Sequence, residues 1–340
     1  MNKTNLIAID VAKNVFQLCE LDDRMKVHRN EQVRRDRLKQ TLAKRSPCIV
    51  AMEACYSSHY WAREFTAMGH DVRLIPAQHV KPFVRGNKND ANDALAIAEA
   101  SQRPNLRFVP MKSLEQQDMQ ALHRIRIRLV RQRTALMNQT RGLLSEYGVV
   151  MAKGIPSFRR SLAALIDPHR TGLTPFIKEQ LVEIQAEFIA LSERLGRLDK
   201  QMRQLADSHP LCKLLSTLPG IGPVNATAIV SAIGKGDQFA HPKDFPVWLG
   251  LTPKQFASGE KSSQGRITKR GDRYLRSQLI HGARAVVYNC HRHKDPFRRW
   301  VQQLVARVGV NKAAVAVAAR LARLSWLMLQ RGEVYRVAQA

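Results

Sequence analysis

The residues in this chain best suited to do chemistry are four carboxylates: Asp10, Glu53, Asp90 and Asp93. Asp10 closes the apolar run Leu6-Ile7-Ala8-Ile9, and Glu53 follows a second run, Cys48-Ile49-Val50-Ala51-Met52. Each run has the length and make-up of a buried strand. Asp90 and Asp93 lie three apart at the start of a helix that Asn89 can cap, so they share one face. Neighbouring strand ends converge at one edge of a sheet, and a helix start can lie beside them. Acids gathered there repel one another unless cations neutralise them. Oxygen-only ligands suit Mg²⁺, with Mn²⁺ as the substitute. Two such ions roughly 3.5–4 Å apart support in-line phosphoryl transfer, one activating the attacking oxygen and the other steadying the leaving oxygen. Singly, each acid has a plainer explanation: Asp10 as a turn residue, Asp90 as a favourable charge at a helix start, Glu53 as a surface partner of Arg63 or Arg73. Together, in a chain with 28 acids against 55 lysines and arginines, they read as one metal site.

A second set of residues lies far along the chain. Leu218-Pro219-Gly220-Ile221-Gly222-Pro223 separates two helical stretches, Leu211–Thr217 and Asn225–Ile233, and has the look of a helix-hairpin-helix turn. Gly220 and Gly222 would let the backbone approach a phosphate, and the N–H groups of the following helix start could bind it. An ordinary Gly-Pro turn is the plainer alternative. Next come Leu249-Gly250-Leu251-Thr252-Pro253, Ser258-Gly259, and Gly265 to Arg276. Lys261, Arg266, Lys269, Arg270, Arg273 and Arg276 are offset nearby only by Glu260 and Asp272. This segment is expected to be a mobile cationic loop gripping the DNA backbone, with Asp272 capping the helix after it. From residue chemistry alone, no serine stands out among Ser258, Ser262 and Ser263, because none has a neighbouring base. Cys290, His291 and His293 lack a second cluster to complete a metal shell, and are read as incidental.

These groups must be positioned by ordinary elements. The first hundred residues alternate short strands (Leu6–Ile9, Val15–Leu21, Met25–His28, Cys48–Met52, Val72–Ile75) with helices (Arg34–Lys44, Ser57–Met68, Asp90–Gln102), as in a central sheet covered by helices. One long helix is expected from Leu114 to Tyr147, with Leu122, Ile125, Leu129, Leu136 and Leu143 as a seam. A second begins at Thr174-Pro175 and keeps a heptad seam from Ile177 through Leu181, Phe188, Leu195 and Leu198 to Leu205. The two could pair within one chain or zip to another subunit. The expected divisions are therefore 1–108 (α/β), 109–208 (helical coiled coil) and 209–340 (mostly helical).

Composition narrows the partners. A net charge of +27 calls for a polyanion, and nucleic acid is the default. Aromatic residues are only 6%, which favours phosphate contacts over base stacking. Five widely spaced cysteines suit a reducing cytoplasm rather than a disulfide framework or zinc site. No signal peptide or membrane span is expected. The longest apolar stretch, Ala313–Leu329, contains Arg320 and Arg323 and reads as a buried or DNA-facing helix.

Nearly the whole chain resembles the insertion-sequence-110 family of transposases, related to Piv-type DNA invertases. A-I-D-V-A-K around Asp10, M-E-A around Glu53 and K-N-D-A-N-D-A around Asp90 and Asp93 look like that family's four-acid site. The resemblance implies an N-terminal RuvC-like, RNase-H-like fold. L-P-G-I-G, L-G-L-T-P, then S-G and K-R-G-D-R-Y-L-R look like its C-terminal transposase domain. By that match Ser258 is the nucleophile, forming a phosphoserine link to DNA beside the metal cluster of another subunit. The resemblance further implies double-stranded donor and target DNA, a non-coding bridge RNA as guide, and a tetramer built as a dimer of dimers. The block Lys261–Gly265 aligns less securely than Ser258. The competing readings are a metal-dependent junction-resolving endonuclease without a serine intermediate, and a nucleic-acid-binding protein without chemistry.

Overall fold

Side chains alternate between the two faces of a strand, and here both faces of one sheet are buried, which is why its strands read as continuous apolar runs. The computed structural model describes residues 5–86, 89–167, 169, 172–258 and 261–336, in two compact units, 1–113 and 114–340. In the first unit, β1 (Leu6–Asp10), β2 (Val15–Leu21) and β3 (Val27–Arg34) form an antiparallel meander. Helix α1 (Arg35–Ala43) leads to β4 (Ile49–Glu53), parallel to β1, and α2 (Ser58–Ala67) leads to β5 (Asp71–Ile75), parallel to β4. The sheet order is β3-β2-β1-β4-β5. The short α3 (Ala77–Val80) precedes α4 (Asp90–Ser101). Ile7, Ile9, Val50 and Met52 cluster with Leu38 and Leu42 of α1 and with Trp61 and Phe65 of α2. Leu6, Ala8 and Ala51 cluster instead with Ala94, Ile97 and Ala98 of α4. Strand β3 runs six residues past the expected His28. As an edge strand its Arg29–Gln32 stretch is polar, so no apolar alternation marks it.

The second unit is mainly helical: α5 (Leu114–Ser145), α6 (Ile155–Ile166), α7 (Pro175–Ser208), α8 (Pro210–Leu215), α9 (Pro223–Ile233) and α10 (Asp244–Trp248). After a hairpin of β6 (Pro253–Ser258) and β7 (Lys261–Ile267) come α11 (Arg273–Asn289), α12 (Pro296–Val308) and α13 (Val310–Arg331). Pro175 opens α7 behind Thr174, whose hydroxyl accepts the Ile177 N–H at 3.3 Å. Helices α5 and α7 pair antiparallel within the chain: Leu129 clusters with Leu195 and Leu198, while Leu136 and Leu144 cluster with Leu181 and Phe188. The expected seam on α7 is buried or half-buried throughout. On α5, Leu129 and Leu136 are buried but Ile125 and Leu143 are exposed. The inward line shifts to Met137 and Leu144, where Phe158 and Leu162 of α6 pack, and the sequence reading had no α6. Both long helices also pack on α9, so residues 114–208 lie in one unit with 209–340.

His123 of α5 is buried between Tyr274 Oη (2.8 Å from Nδ1) and Thr227 Oγ1 (3.0 Å from Nε2), and burial pushes its pKa down to about 4. Helix α13 is long and apolar enough to cross a membrane by length and composition, but it forms part of this unit's core through Ala314, Val317, Ala318 and Leu321.

Candidate active site

The strand periodicity that builds the sheet also aims the acids. Asp10 follows Leu6 and Ala8 on the α4 side of β1, and Glu53 follows Ile49 and Ala51 on the α4 side of β4. Because β1 and β4 are parallel, with Ile9 opposite Met52, both acids emerge at the same sheet edge. Helix α4 starts there. The Asn89 side chain caps it, accepting the Asn92 N–H at 2.7 Å. Gln17 of β2 donates to Asn30 of β3 at 2.6 Å, and Asn30 donates to the Ala91 carbonyl at 3.2 Å. This amide relay ties the first turn of α4 to the sheet. The sequence reading missed it, since lone amides on neighbouring strands carry no spacing signal.

Carboxylate oxygens of Asp10, Asp90 and Asp93 lie within 4.8 Å of one another. Glu53 stands outside that circle yet shares its field. Burial, then Asp93, Asp90 and Glu53 in turn, push the Asp10 pKa up to about 6. Burial and then Asp93 raise that of Glu53. Like charges held this close, on oxygen donors alone, fit a hard divalent cation, which would remove the repulsion.

Ser258 lies in the second unit, at the end of β6 and opposite Lys261. The loop expected in this region is instead a two-stranded antiparallel hairpin. Its sequence signal was present: the two residues between Ser258 and Lys261 begin with Gly259, a composition suited to two-residue hairpin connections. Gly259, Glu260 and the Lys261 side chain lie outside the described residues. Arg266, Lys269, Arg270 and Arg273 are exposed on or beside the hairpin, as a backbone-gripping role requires.

Arg276 departs from that expectation. It is 8% exposed, and its Nη1 donates to the carbonyls of Leu249 and Arg270, each at 2.9 Å. One turn into α11, it faces the core and ties together the two chain segments that enter and leave the hairpin. Thr268 N–H to Thr252 O (2.9 Å) and Lys269 N–H to Gly250 O (3.1 Å) complete the tie. Gly250 and Gly271 make it possible. Both have positive φ, and a Cβ on Gly271 would collide with the Trp248 carbonyl, one on Gly250 with the Arg270 backbone. Arg276→Met is therefore expected to cost about 2–4 kcal/mol of stability, by leaving buried carbonyls without a donor. It should leave the salt dependence of DNA binding unchanged, whereas Arg273→Ala lowers the salt slope by about one at little cost in stability. Urea unfolding and binding titrations at several salt concentrations separate the two.

The glycine turn joins α8 to α9. A Cβ on Gly220 would meet Val286 Cγ2 at 2.7 Å and the Gly282 carbonyl at 3.0 Å, so Gly220 allows the turn to lie against α11. Gly222 is exposed at the N-terminus of α9, with open space around it and a cavity of about 500 Å³ alongside. Of the two, Gly222 has the room a phosphate needs.

Carboxylates at one edge of a mixed sheet, followed by a basic helical region, are the make-up of a transposase with a DEDD-type, RNase-H-like domain. Residues 7–149 match the family model of the DEDD transposase domain of the IS110 group, and residues 212–298 match the one described as transposase, IS116/IS110/IS902 family. The chain is 43% identical over 331 residues to a probable family 20 transposase of Pseudomonas aeruginosa, covering 97% of this chain and 98% of that one. It is 40% identical over 336 residues to the transposase for insertion sequence element IS1111A of Coxiella burnetii, covering 99% and 92%. A pilin gene-inverting protein of Moraxella bovis is 27% identical over 150 residues, 42% of this chain and 46% of that protein. The chain belongs to the IS110 family of transposases. Membership implies DNA as substrate and strand cutting and transfer as the activity, and a DEDD-type domain suggests use of a divalent metal.

Proposed function

We propose that this protein excises and inserts its mobile element by site-specific recombination, with Asp10, Glu53, Asp90 and Asp93 holding Mg²⁺ and Ser258 as nucleophile. The convergence of Asp10, Asp90 and Asp93 within 4.8 Å, in a chain of +27, is the observation that carries this reading. When bound, the divalent ions supply charge neutralisation at the attacking and departing oxygens. The protein's own groups do the rest. Asp10 and Glu53 are fixed by the strand ends, and Asp90 and Asp93 by the capped first turn of α4. Exposed Arg266, Lys269, Arg270 and Arg273, with Lys261 in the same segment, hold the DNA backbone near the hairpin. Gly222 offers the start of α9 to a further phosphate.

The Ser258 hydroxyl forms an Oγ–P bond as the P–O bond to one sugar oxygen breaks, and that oxygen takes up a proton. Attack by a second sugar hydroxyl reverses the exchange and frees the serine. The phosphodiester count is conserved, so no external energy source is needed. A bridge RNA that pairs with donor and target DNA supplies sequence choice, leaving the protein to read mainly backbone. Its large positive charge and scarce aromatics suit that division. A tetramer in which Ser258 of one subunit meets the acids of another completes the reading, and the α5–α7 helix pair, as a coiled-coil arm, offers a subunit interface.

Incubation with co-purified RNA and a donor–target plasmid pair tests it. Recombinants that disappear on RNase treatment or with a chelator are expected. Free 5′-phosphate ends with no recombinants would point instead to a junction-resolving endonuclease.

A further inference from the structure

Beneath the serine hairpin is a groove of about 1250 Å³ to which the cutting chemistry gives no task. One wall is β7 from Gln264 to Ile267, with Leu251 to Pro253. The other is one face of α13, and Trp300 of α12 also lines it. Lys312, Val315, Ala316, Ala319, Arg323 and Leu327 recur at helical spacing, so the α13 wall runs about 23 Å. Its floor is apolar, with Val315, Ala316, Ala319, Leu324 and Leu327 of α13. Its rim is cationic: Arg266, Lys269, Lys312, Arg320 and Arg323 line it, and no described lining residue is acidic. The Arg320 guanidinium lies 4.3 Å over the Trp300 ring and 5.5 Å from the Phe297 ring centre, which orients it before any ligand arrives.

A flat apolar floor inside a ring of cations matches a chain of bases and phosphates. Duplex DNA hides its base faces in the stack and would use the rim alone. A second copy of this chain would bring its own large positive charge to a positive rim. An unpaired strand uses both parts, burying apolar base surface against the aliphatic floor and setting its phosphates on the rim. The hairpin settles which nucleic acid. Gln264 in the groove wall pairs with Gln255, three residues before Ser258, about 10 Å along the strand. The strand handled at Ser258 is DNA, so the near end of the groove lies within a few nucleotides of the cut.

We propose that this groove seats unpaired nucleotides of the DNA strand close to the phosphate attacked by Ser258. The nearness to the cut and the choice of DNA over RNA rest on the serine reading; the groove's preference for a single strand does not.

The test uses the full-length protein and three fluorescein-labelled probes of one sequence: single-stranded DNA, single-stranded RNA and duplex DNA. Ala316→Trp narrows the groove midway along α13, and Arg320→Met removes the oriented charge while keeping an apolar stem. Both should weaken single-stranded DNA binding tenfold or more, with duplex binding changed less than threefold, RNA binding weakened no more than that of single-stranded DNA, and Tm preserved. If Ala316→Trp melts early, Arg320→Met carries the comparison. Unchanged single-strand binding, or equal losses on duplex, would overturn the proposal. So would a larger loss on RNA, which marks a guide seat, or a changed sedimentation mass with DNA binding intact, which marks a subunit contact. Ser258→Ala tests the serine reading separately. If that variant still forms a covalent link, the serine reading fails while the groove stands on its own probes. 2-Aminopurine stepped through the nucleotides beside the cut should change fluorescence at the positions seated in the groove and lose that change in Ala316→Trp.

Discussion

Ser258→Ala is expected to abolish the covalent protein–DNA species and lower recombination by at least about 10³-fold, since no other group can take the place of its oxygen in the exchange. Ser258 is exposed at the end of β6, so losing one hydroxyl there should leave stability within about 0.5 kcal/mol. The adjacent serines provide the control. Ser262 and Ser263 lie on β7, where Ser262 is opposite Ala257 and Ser263 opposite Phe256, and each alanine variant should keep activity within a few-fold. Denaturing gels of radiolabelled DNA after RNA-programmed incubation read the result. A covalent band surviving in Ser258→Ala, or vanishing in Ser263→Ala, would move the nucleophile elsewhere.

The second large effect belongs to Asp10. Asp10→Asn should reduce strand cutting by about 10²–10⁴-fold and also change how stability responds to pH and metal. In the folded chain Asp10 keeps its proton up to about pH 6, whereas its ordinary value is 3.8. Between those values the folded state binds more protons than the unfolded one, so stability falls as pH rises through the window. Allowing for partial exposure, the loss is of order 1–3 kcal/mol. Asparagine carries no such charge, so the variant should gain on the parent from about pH 4 to 6 and hold that gain above. His123 works in the opposite sense. With its pKa pushed down to about 4, it favours the fold more as pH rises from 4 to 6.5, and the difference curve between parent and variant cancels it. Adding Mg²⁺ at a hundredfold excess over its Kd should stabilise the parent by about 3 kcal/mol and the variant much less. A parent whose Tm ignores divalent ions would sink the metal assignment.

Much of this was readable beforehand, for physical reasons that differ by region. Ile7, Ile9, Val50 and Met52 are apolar because both faces of their sheet are covered, so the strands that carry Asp10 and Glu53 stood out. Asn89 marked the start of α4 by its capping chemistry, and with it Asp90 and Asp93. Which side of the sheet the acids face emerges only from the packing of α4 against Leu6, Ala8 and Ala51. Other features carried no local signal. Strand β3 is a polar edge. The inward line of α5 changes where α6 arrives, a tertiary event that heptad counting along one helix does not register. Arg276 was grouped with the DNA-binding cations because a basic run hides which member turns inward; only the close approach of Gly250 and Gly271 gives that residue its buried task. The glycine-rich, cationic segment predicts a mobile loop, although two short runs separated by a glycine-led pair also describe paired strands.

The tie at the base of β6 and β7 makes the serine hairpin a beam fixed at one end. Six residues of β6 span about 20 Å. A tilt of about 5° at the fixed end swings the far end by about 2 Å, and an error of 1 Å can cost about a hundredfold in rate. Aim is thus decided by Gly250, Gly271 and Arg276, none of which needs to approach a phosphate. Loss-of-function substitutions should gather at that root as densely as around the hydroxyl it points.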